Sequence, residues 1–219
     1  MIEYDKDAIV YPYITKMLRD GVPKSEGILK ELEIEAERDE VPIILPEAAR
    51  LLSVLLEMKK PKHILEIGCA IGYSALLMSE KLAEGGSILT LEIDEEMAKR
   101  ARANIERAGK SDVITVRHCD AVETMPTLTG EYDVIFLDGP KAHYIYMLND
   151  AIRLLKKGGL LIADNVLYKG MTADEEHVVR RKITIVKRLR HFIAAQMKRG
   201  ELEAMLLPLG DGMTVAVKK

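Results

Sequence analysis

The stretch His63-Ile64-Leu65-Glu66-Ile67-Gly68-Cys69-Ala70-Ile71-Gly72-Tyr73-Ser74 runs from a short apolar strand through a glycine turn into the start of a helix. Glycines at such a turn let the backbone come close to a ligand, and the helix start offers unpaired N–H groups. At the carboxyl edge of a strand in an open α/β sheet, this is where ligands bind. A glycine loop by itself is weak evidence, because nicotinamide enzymes use a similar device. The spacing discriminates: Glu66-x-Gly68-x-x-x-Gly72 is not the Gly-x-Gly-x-x-Gly that a pyrophosphate requires.

Outward from this turn, strands and helices alternate. Strands are expected at His63–Ile67, Ser87–Ile93, Val113–His118, Tyr132–Leu137 and Gly159–Ala163, and helices at Tyr73–Ala83 and Glu95–Ala108. Val134-Ile135-Phe136-Leu137 is apolar without interruption, as in a parallel strand covered on both faces. The alternation predicts a doubly wound α/β domain. Beyond it a long helix over Ala173–Arg199 is expected. Glu203–Leu209, Gly210-Asp211-Gly212 and Met213–Val217 then read as a hairpin ending the sheet in antiparallel strands. Upstream, helices are expected at Asp7–Asp20, Lys24–Glu40 and Glu47–Met58. Val41–Pro46 interrupts them, because proline disfavours helix in the residue before it. Residues 1–60 are read as amino-terminal helices and 61–219 as the core of one domain, with no dividing linker.

Of the 219 residues, 48% are hydrophobic and 31% charged, an ordinary balance for a globular protein. A formal net charge of -3 does not advertise a polyanionic partner, although a local basic patch can still exist. Cys69 and Cys119 have no metal-knuckle spacing and read as reduced, buried small residues. Met1–Asp7 holds no basic region followed by an apolar core, and no apolar run approaches membrane-spanning length. Both observations argue for a cytoplasmic protein away from the membrane.

Glu92 ends the second strand, where a carboxylate can accept both protons of a ribose diol. It can equally serve as a capping charge, since Asp94 and Glu95 follow at a helix start. Asp120-Ala121 follows the third strand, in position to meet a base or simply to cap the next short helix. The fourth strand ends in Asp138 with Lys141 three residues on, and the fifth in Asp164-Asn165. As neighbours in such a sheet, these ends would converge on one edge. Two carboxylates and an amide oxygen form a hard set suited to Mg²⁺ or Ca²⁺ rather than zinc. Each aspartate alone reads as a cap, and Lys141 as a solvated lysine. Beside a metal, Lys141 could instead act as a general base.

Assembled, these residues resemble the cation-dependent O-methyltransferases that include the catechol and caffeoyl-coenzyme A enzymes. Within that group the bacterial tRNA 5-hydroxyuridine methyltransferases look most similar. The carriers are Val41-Pro42-Ile43, Leu65–Ser74, Asp138-Gly139-Pro140-Lys141 and Asp164-Asn165-Val166-Leu167-Tyr168-Lys169-Gly170. The last two are specific to the metal-dependent group. The resemblance implies a Rossmann-like class I methyltransferase fold, with a mostly parallel seven-stranded sheet and a carboxy-terminal antiparallel hairpin. It implies S-adenosylmethionine in a pocket lined by Ile44, Gly68, Ser74, Glu92, Asp120, Ala121 and Asp138. Glu66, Gly72, Tyr73 and Ile93, from the same strand ends, complete the expected cofactor set. Asp138, Asp164 and Asn165 would bind Mg²⁺, or another divalent cation such as Mn²⁺ or Ca²⁺, and Lys141 would act as base. Departing from the family, the chain shows no clear counterpart of the further carboxylate with which the animal catechol enzyme grips its substrate's second hydroxyl.

The expected acceptor is 5-hydroxyuridine at the tRNA wobble position, methylated to 5-methoxyuridine, with a small aromatic bearing vicinal oxygens, a catechol or hydroxycinnamoyl thioester, as the alternative. One feature of the residues themselves favours RNA. Between His177 and Arg199 there is no acidic residue, and on a helix Arg180, Arg181, Thr184, Lys187, Arg188 and His191 share one face. Ile183, Val186, Leu189, Ile193 and Met197 form the other stripe. Such a face can follow a phosphate backbone, be merely solvated, or meet the acidic helix Glu31–Glu40 of a second copy. Amino-terminal helices beyond what the core needs point to a homodimer.

Overall fold

The structure, a computed structural model, describes residues 10–219. Helices α1 (Pro12–Asp20), α2 (Gly27–Arg38) and α3 (Pro46–Lys59) lead into β1 (His63–Ile67), α4 (Tyr73–Ser79), β2 (Ser87–Glu92), α5 (Glu95–Arg107) and β3 (Ile114–His118). The chain continues through α6 (Ala121–Thr124), β4 (Tyr132–Leu137), α7 (Tyr144–Leu154), β5 (Leu155–Ala163), α8 (Ile183–Lys198), β6 (Leu202–Leu207) and β7 (Met213–Lys218). The seven strands form one sheet in the order β3-β2-β1-β4-β5-β7-β6. The first five run parallel and the β6–β7 hairpin joins β5 antiparallel, as expected from the alternating pattern and the Gly-Asp-Gly turn.

Strand periodicity divides the core in two. Ile64, Val134, Phe136, Leu160 and Ile162 point to the face covered by α2 to α5. Leu65, Ile67, Ile135, Leu137, Leu161 and Ala163 point to the other, under α7 and α8. Burial on both faces is why these strands read as continuous apolar runs.

Several boundaries differ from expectation for local reasons. The first helix begins at Pro12, whose fixed φ and missing N–H suit a first-turn position; the expected start at Asp7 lies outside the described residues. The helix after β1 ends at Ser79. β5 starts at Leu155, with an irregularity in its pairing to β4 between Tyr132 and Val134. No helix is expected above between β4 and β5, yet α7 supplies the crossover that two parallel neighbours require. The long carboxy-terminal helix begins only at Ile183, after a 3-10 turn at Arg180–Lys182. Ahead of it the Asp174 carboxylate accepts from the Glu176 N–H and binds His177, a local bond that competes with helix. Arg190 then latches this segment, donating to the carbonyls of Met171 and Thr172 and pairing with Glu175. The buried stripe of α8 is accordingly Val186, Leu189, Phe192 and Gln196, while Ile183 and Met197 remain exposed.

The acidic residues of α2 are engaged within the chain: Arg107 pairs with Glu31, and Arg100 with both Glu35 and Asp39. Among the described residues no helix is long and apolar enough to cross a membrane.

The β6–β7 turn lies against the loop that leaves β5. Val166 and Leu167 donate their N–H groups to the carbonyls of Gly212 and Asp211 at 2.9 and 3.0 Å. Gly212 has φ +83°, and a Cβ there would fall 2.3 Å from Leu167 Cγ. Gly212→Ala is therefore expected to cost about 2 kcal/mol, lowering Tm by about 4–8 °C. A thermal melt within about 1 °C of wild type would contradict this account of the turn.

Candidate active site

The loop after β1 is built around one carboxylate. Glu92, ending β2, accepts through Oε2 from the Cys69 and Ala70 N–H groups at 3.0 and 2.9 Å. Its Oε1 accepts from Asp94 N at 2.9 Å. The helix-capping role falls to Asp94, whose side chain accepts from Met97 N at 2.9 Å. Glu92 thus clamps the glycine loop to the neighbouring strand end while facing a cavity. Gly68 has φ +85°, and a Cβ on it would sit 2.7 Å from Gly139 Cα. The close approach at this glycine is to the turn after β4.

That cavity, of about 580 Å³, opens at the carboxyl ends of β1, β2 and β4. Ile44, Gly68, Tyr73, Ser74, Glu92, Ile93, Asp120, Ala121 and Asp138 line it. Ile44 comes from the segment between α2 and α3. Asp120 caps α6, accepting from Val122 N at 2.7 Å. Gly72, at the amino end of α4, packs near Ala101 of α5 instead and is not part of the wall. Glu66 is also outside it, fully buried beneath the loop. Neither Glu66 oxygen has a hydrogen-bond partner among the described residues. Burial pushes its pKa up to about 8, against the opposing pull of the nearby Ser74 and Thr90 hydroxyls, so the group is mainly neutral at pH 7. Cys69 is buried and its thiol is pushed far up by desolvation, whereas Cys119 is half-buried in the cavity wall.

At the other end of the cavity, Leu137 pairs with Ala163 in the β4–β5 register, so Asp138 and Asp164 leave the sheet side by side. Asp164 N donates to Leu137 O at 3.0 Å, closing the ladder. Asn165 follows at φ +56°, its N–H bonded to Asp164 Oδ1 at 2.7 Å. Lys141 Nζ lies 3.1 Å from Asp138 Oδ1. Burial raises the pKa of both aspartates; the charge of Asp138 raises Asp164 further, while Lys141 opposes the shift on each. Buried negative charge with one nearby ammonium suits an added cation, and the donors are hard oxygens. Among the described residues no group of three or more His, Cys, Asp or Glu is placed to hold a metal. Two carboxylates and an amide fit a divalent cation whose remaining positions belong to water and substrate.

Among the wall residues absent from the expected set are a histidine, a lysine and an aspartate. His143 lies in the 3-10 turn with Lys141, Lys169 in the loop after β5, and Asp211 in the β6–β7 turn. Asp211 accepts from Lys169 N at 2.6 Å, and burial raises its pKa. It places a further carboxylate beside Asn165 and Lys141. The Gly-Asp-Gly signal marks a turn but not its proximity to another strand end. The basic residues of the carboxy-terminal segment divide by role. Arg180, Arg181 and Lys187 are exposed, whereas Arg188 lies over the Tyr146 ring at 5.1 Å and Lys182 over Tyr168 at 5.6 Å.

A family model described as O-methyltransferase matches residues 22–219. A catechol O-methyltransferase of Niastella koreensis is 32% identical over 185 residues, covering 80% of this chain and 82% of that protein. A caffeoyl-CoA O-methyltransferase of Stellaria longipes is 30% identical over 204 residues, 88% of this chain and 83% of that protein. The solved structure of an O-methyltransferase from Bacillus cereus in complex with SAH matches with a TM-score of 0.83 at 27% identity. It covers 94% of this chain and 97% of that one. The chain belongs to the O-methyltransferase family.

Glu66 gives this site a measurable signature. Its folded pKa of about 8 stands above the ordinary 4.5, so between those values the folded protein holds a proton that the unfolded chain lacks. The stability this confers is full below about pH 4.5 and is lost as pH rises through 8. Glu66→Gln preserves the shape without the titration. Its Tm is expected to fall less than wild type's between about pH 6 and about pH 9; parallel curves would contradict the buried neutral carboxyl.

Proposed function

From this family membership we propose that the chain transfers a methyl group from S-adenosylmethionine to a hydroxyl of a small aromatic with vicinal oxygens, a catechol or hydroxycinnamoyl thioester, with a divalent cation such as Mg²⁺ bound. The observation that carries the reading is the convergence of strand ends: Asp138, Lys141 and Asn165 line the same cavity as Glu92, and Asp164, buried just behind that wall, leaves β5 beside Asp138. The names of the catechol and caffeoyl-CoA relatives support the acceptor class.

When bound, S-adenosylmethionine supplies an electrophilic methyl group and the cation supplies positive charge at the acceptor oxygens. Glu92, fixed by three backbone donors, keeps lone pairs for ribose hydroxyls. Ile43, Ile44 and Ile93 exclude water from the cofactor end. Asp138, Asp164 and Asn165 would hold the cation, and Asp138 joins the two ends of the cavity. Lys141, 3.1 Å from Asp138 Oδ1, would serve as the base: its ammonium first gives a proton to solvent, and the amine then takes the proton of the acceptor hydroxyl. Fixed positions for donor and acceptor supply much of the remaining acceleration.

A second reading, methylation of tRNA 5-hydroxyuridine, rests on the exposed Arg180, Arg181 and Lys187. Its vicinal oxygens, the 5-hydroxyl and 4-carbonyl, suit the same oxygen-rich edge. The exposed Tyr13, Ile14 and Met17 on α1 support a homodimer in either case.

Transfer of label from S-adenosylmethionine to catechol, caffeoyl-CoA and 5-hydroxyuridine-containing tRNA tests the proposal. Labelled catechol or caffeoyl-CoA is expected, with loss in EDTA and recovery with Mg²⁺. Lys141→Met is expected to lower kcat by about 10²–10⁴ while leaving affinity for S-adenosylhomocysteine nearly unchanged. Activity indifferent to EDTA and to Lys141→Met would overturn the mechanism. Labelled tRNA alone, lost when Arg180, Arg181 and Lys187 become alanine, would establish the second reading.

A further inference from the structure

Tyr144 is the largest side chain buried without exposure, and its hydroxyl is spent on the main chain. The ring meets Phe192 of α8 edge-on at 5.3 Å. The hydroxyl lies 3.0 Å from Leu137 O and 3.3 Å from Asp164 O. A buried hydroxyl must find an acceptor or cost stability, but many carbonyls could satisfy that need. These two belong to particular peptide units. One joins Leu137 to Asp138, and the other joins Asp164 to Asn165.

The sheet no longer secures the second unit. The β4–β5 pairing ends at Leu137 and Ala163, and its last rung is the Asp164 N–H donated to Leu137 O. One residue later Asn165 enters the left-handed region at φ +56°. An L-residue pays about 1–2 kcal/mol there, less for asparagine, so this geometry persists only where the surroundings fix it. The Tyr144 hydroxyl shares its proton between the second lone pair of Leu137 O and the carbonyl just before Asn165. It thereby extends the ladder by one residue, to the place where Asp138, Asp164 and Asn165 leave the strands.

We propose that Tyr144 is a positioning residue for the divalent-cation site, its hydroxyl fixing the two peptide units that aim Asp138, Asp164 and Asn165. This rests on the cation assigned under the proposed function. Tyr144 does not line the cavity; it acts through the backbone of the residues that do the holding. Partners of this kind typically change metal affinity by about 10–100-fold.

The test uses Mn²⁺ alone, with free Mn²⁺ followed by its EPR signal during titration of the full chain. Tyr144→Phe keeps the ring and its contact with Phe192 and removes only the oxygen. It is expected to weaken Mn²⁺ binding by about tenfold and to leave S-adenosylhomocysteine affinity within about twofold, because the Glu92 clamp is untouched. Phe192→Leu is the control for packing: it loosens the same α7–α8 contact and is expected to lower Tm while leaving Mn²⁺ affinity unchanged. Wild-type Mn²⁺ affinity in Tyr144→Phe, or an equal loss in Phe192→Leu, overturns the assignment. Absence of Mn²⁺ binding to the wild-type chain defeats the cation reading itself, a distinguishable result.

Discussion

The site depends on one electrostatic constraint: several carboxylates are buried at the carboxyl edge of the parallel strands, with little positive charge beside them. Glu66, Glu92 and Asp164 are buried and Asp138 is half-buried; they come from four successive positions in the sheet, on β1, β2 and the ends of β4 and β5. Each escapes the cost of burial differently. Glu66 is held mainly neutral by desolvation. Glu92 is satisfied by three backbone N–H groups. Asp138 leans on Lys141, and Asp164 accepts from the Asn165 N–H with Lys141 nearby. A neutral acid, a backbone clamp and an incompletely compensated pair are three distinct solutions within one edge.

Close packing of turns turns this electrostatic arrangement into a defined geometry. Gly68 lets the β1 loop touch the turn after β4, so the cofactor-loop end and the Asp138 end of the cavity are mechanically one piece. Gly212 brings the β6–β7 turn onto the loop carrying Asn165, and with it Asp211. From beneath, α7 contributes Tyr144 and α8 contributes Phe192. The antiparallel hairpin is therefore part of the site as well as an ending for the sheet.

Much of this was legible in the residue pattern because strands carry their own periodicity and glycine marks its own turns. The strand–Glu66–Gly68 turn, the acidic ends at Asp138 and Asp164, and the hairpin around Asp211 all announce themselves locally. Contacts between separate segments do not. Gly68 reads as room for a ligand, but its missing Cβ makes room for Gly139. The acidic helix reads as a partner for a basic one, yet Arg100 and Arg107 of α5 engage it within the chain. The expected helix from residue 173 fails because Asp174 bonds its own following backbone and Arg190 captures the carbonyls of Met171 and Thr172. Helical periodicity does not register such competition, and for the same reason Asp211 and Tyr144 have no local signal of their role.

The proposed cation site at Asp138 and Asp164 carries an excess of negative charge, seen in the raised proton affinity of both groups. Protons released on Mg²⁺ binding measure this most directly, by titration calorimetry in two buffers of different ionisation enthalpy. A divalent cation requires ionised carboxylates, so groups with raised pKa must give up protons to bind it. Net proton release is expected near about pH 6.5, where Asp164 with its pKa of about 7 is largely protonated, and is expected to be smaller near about pH 9. Mg²⁺ binding without proton release at the lower pH would contradict the account.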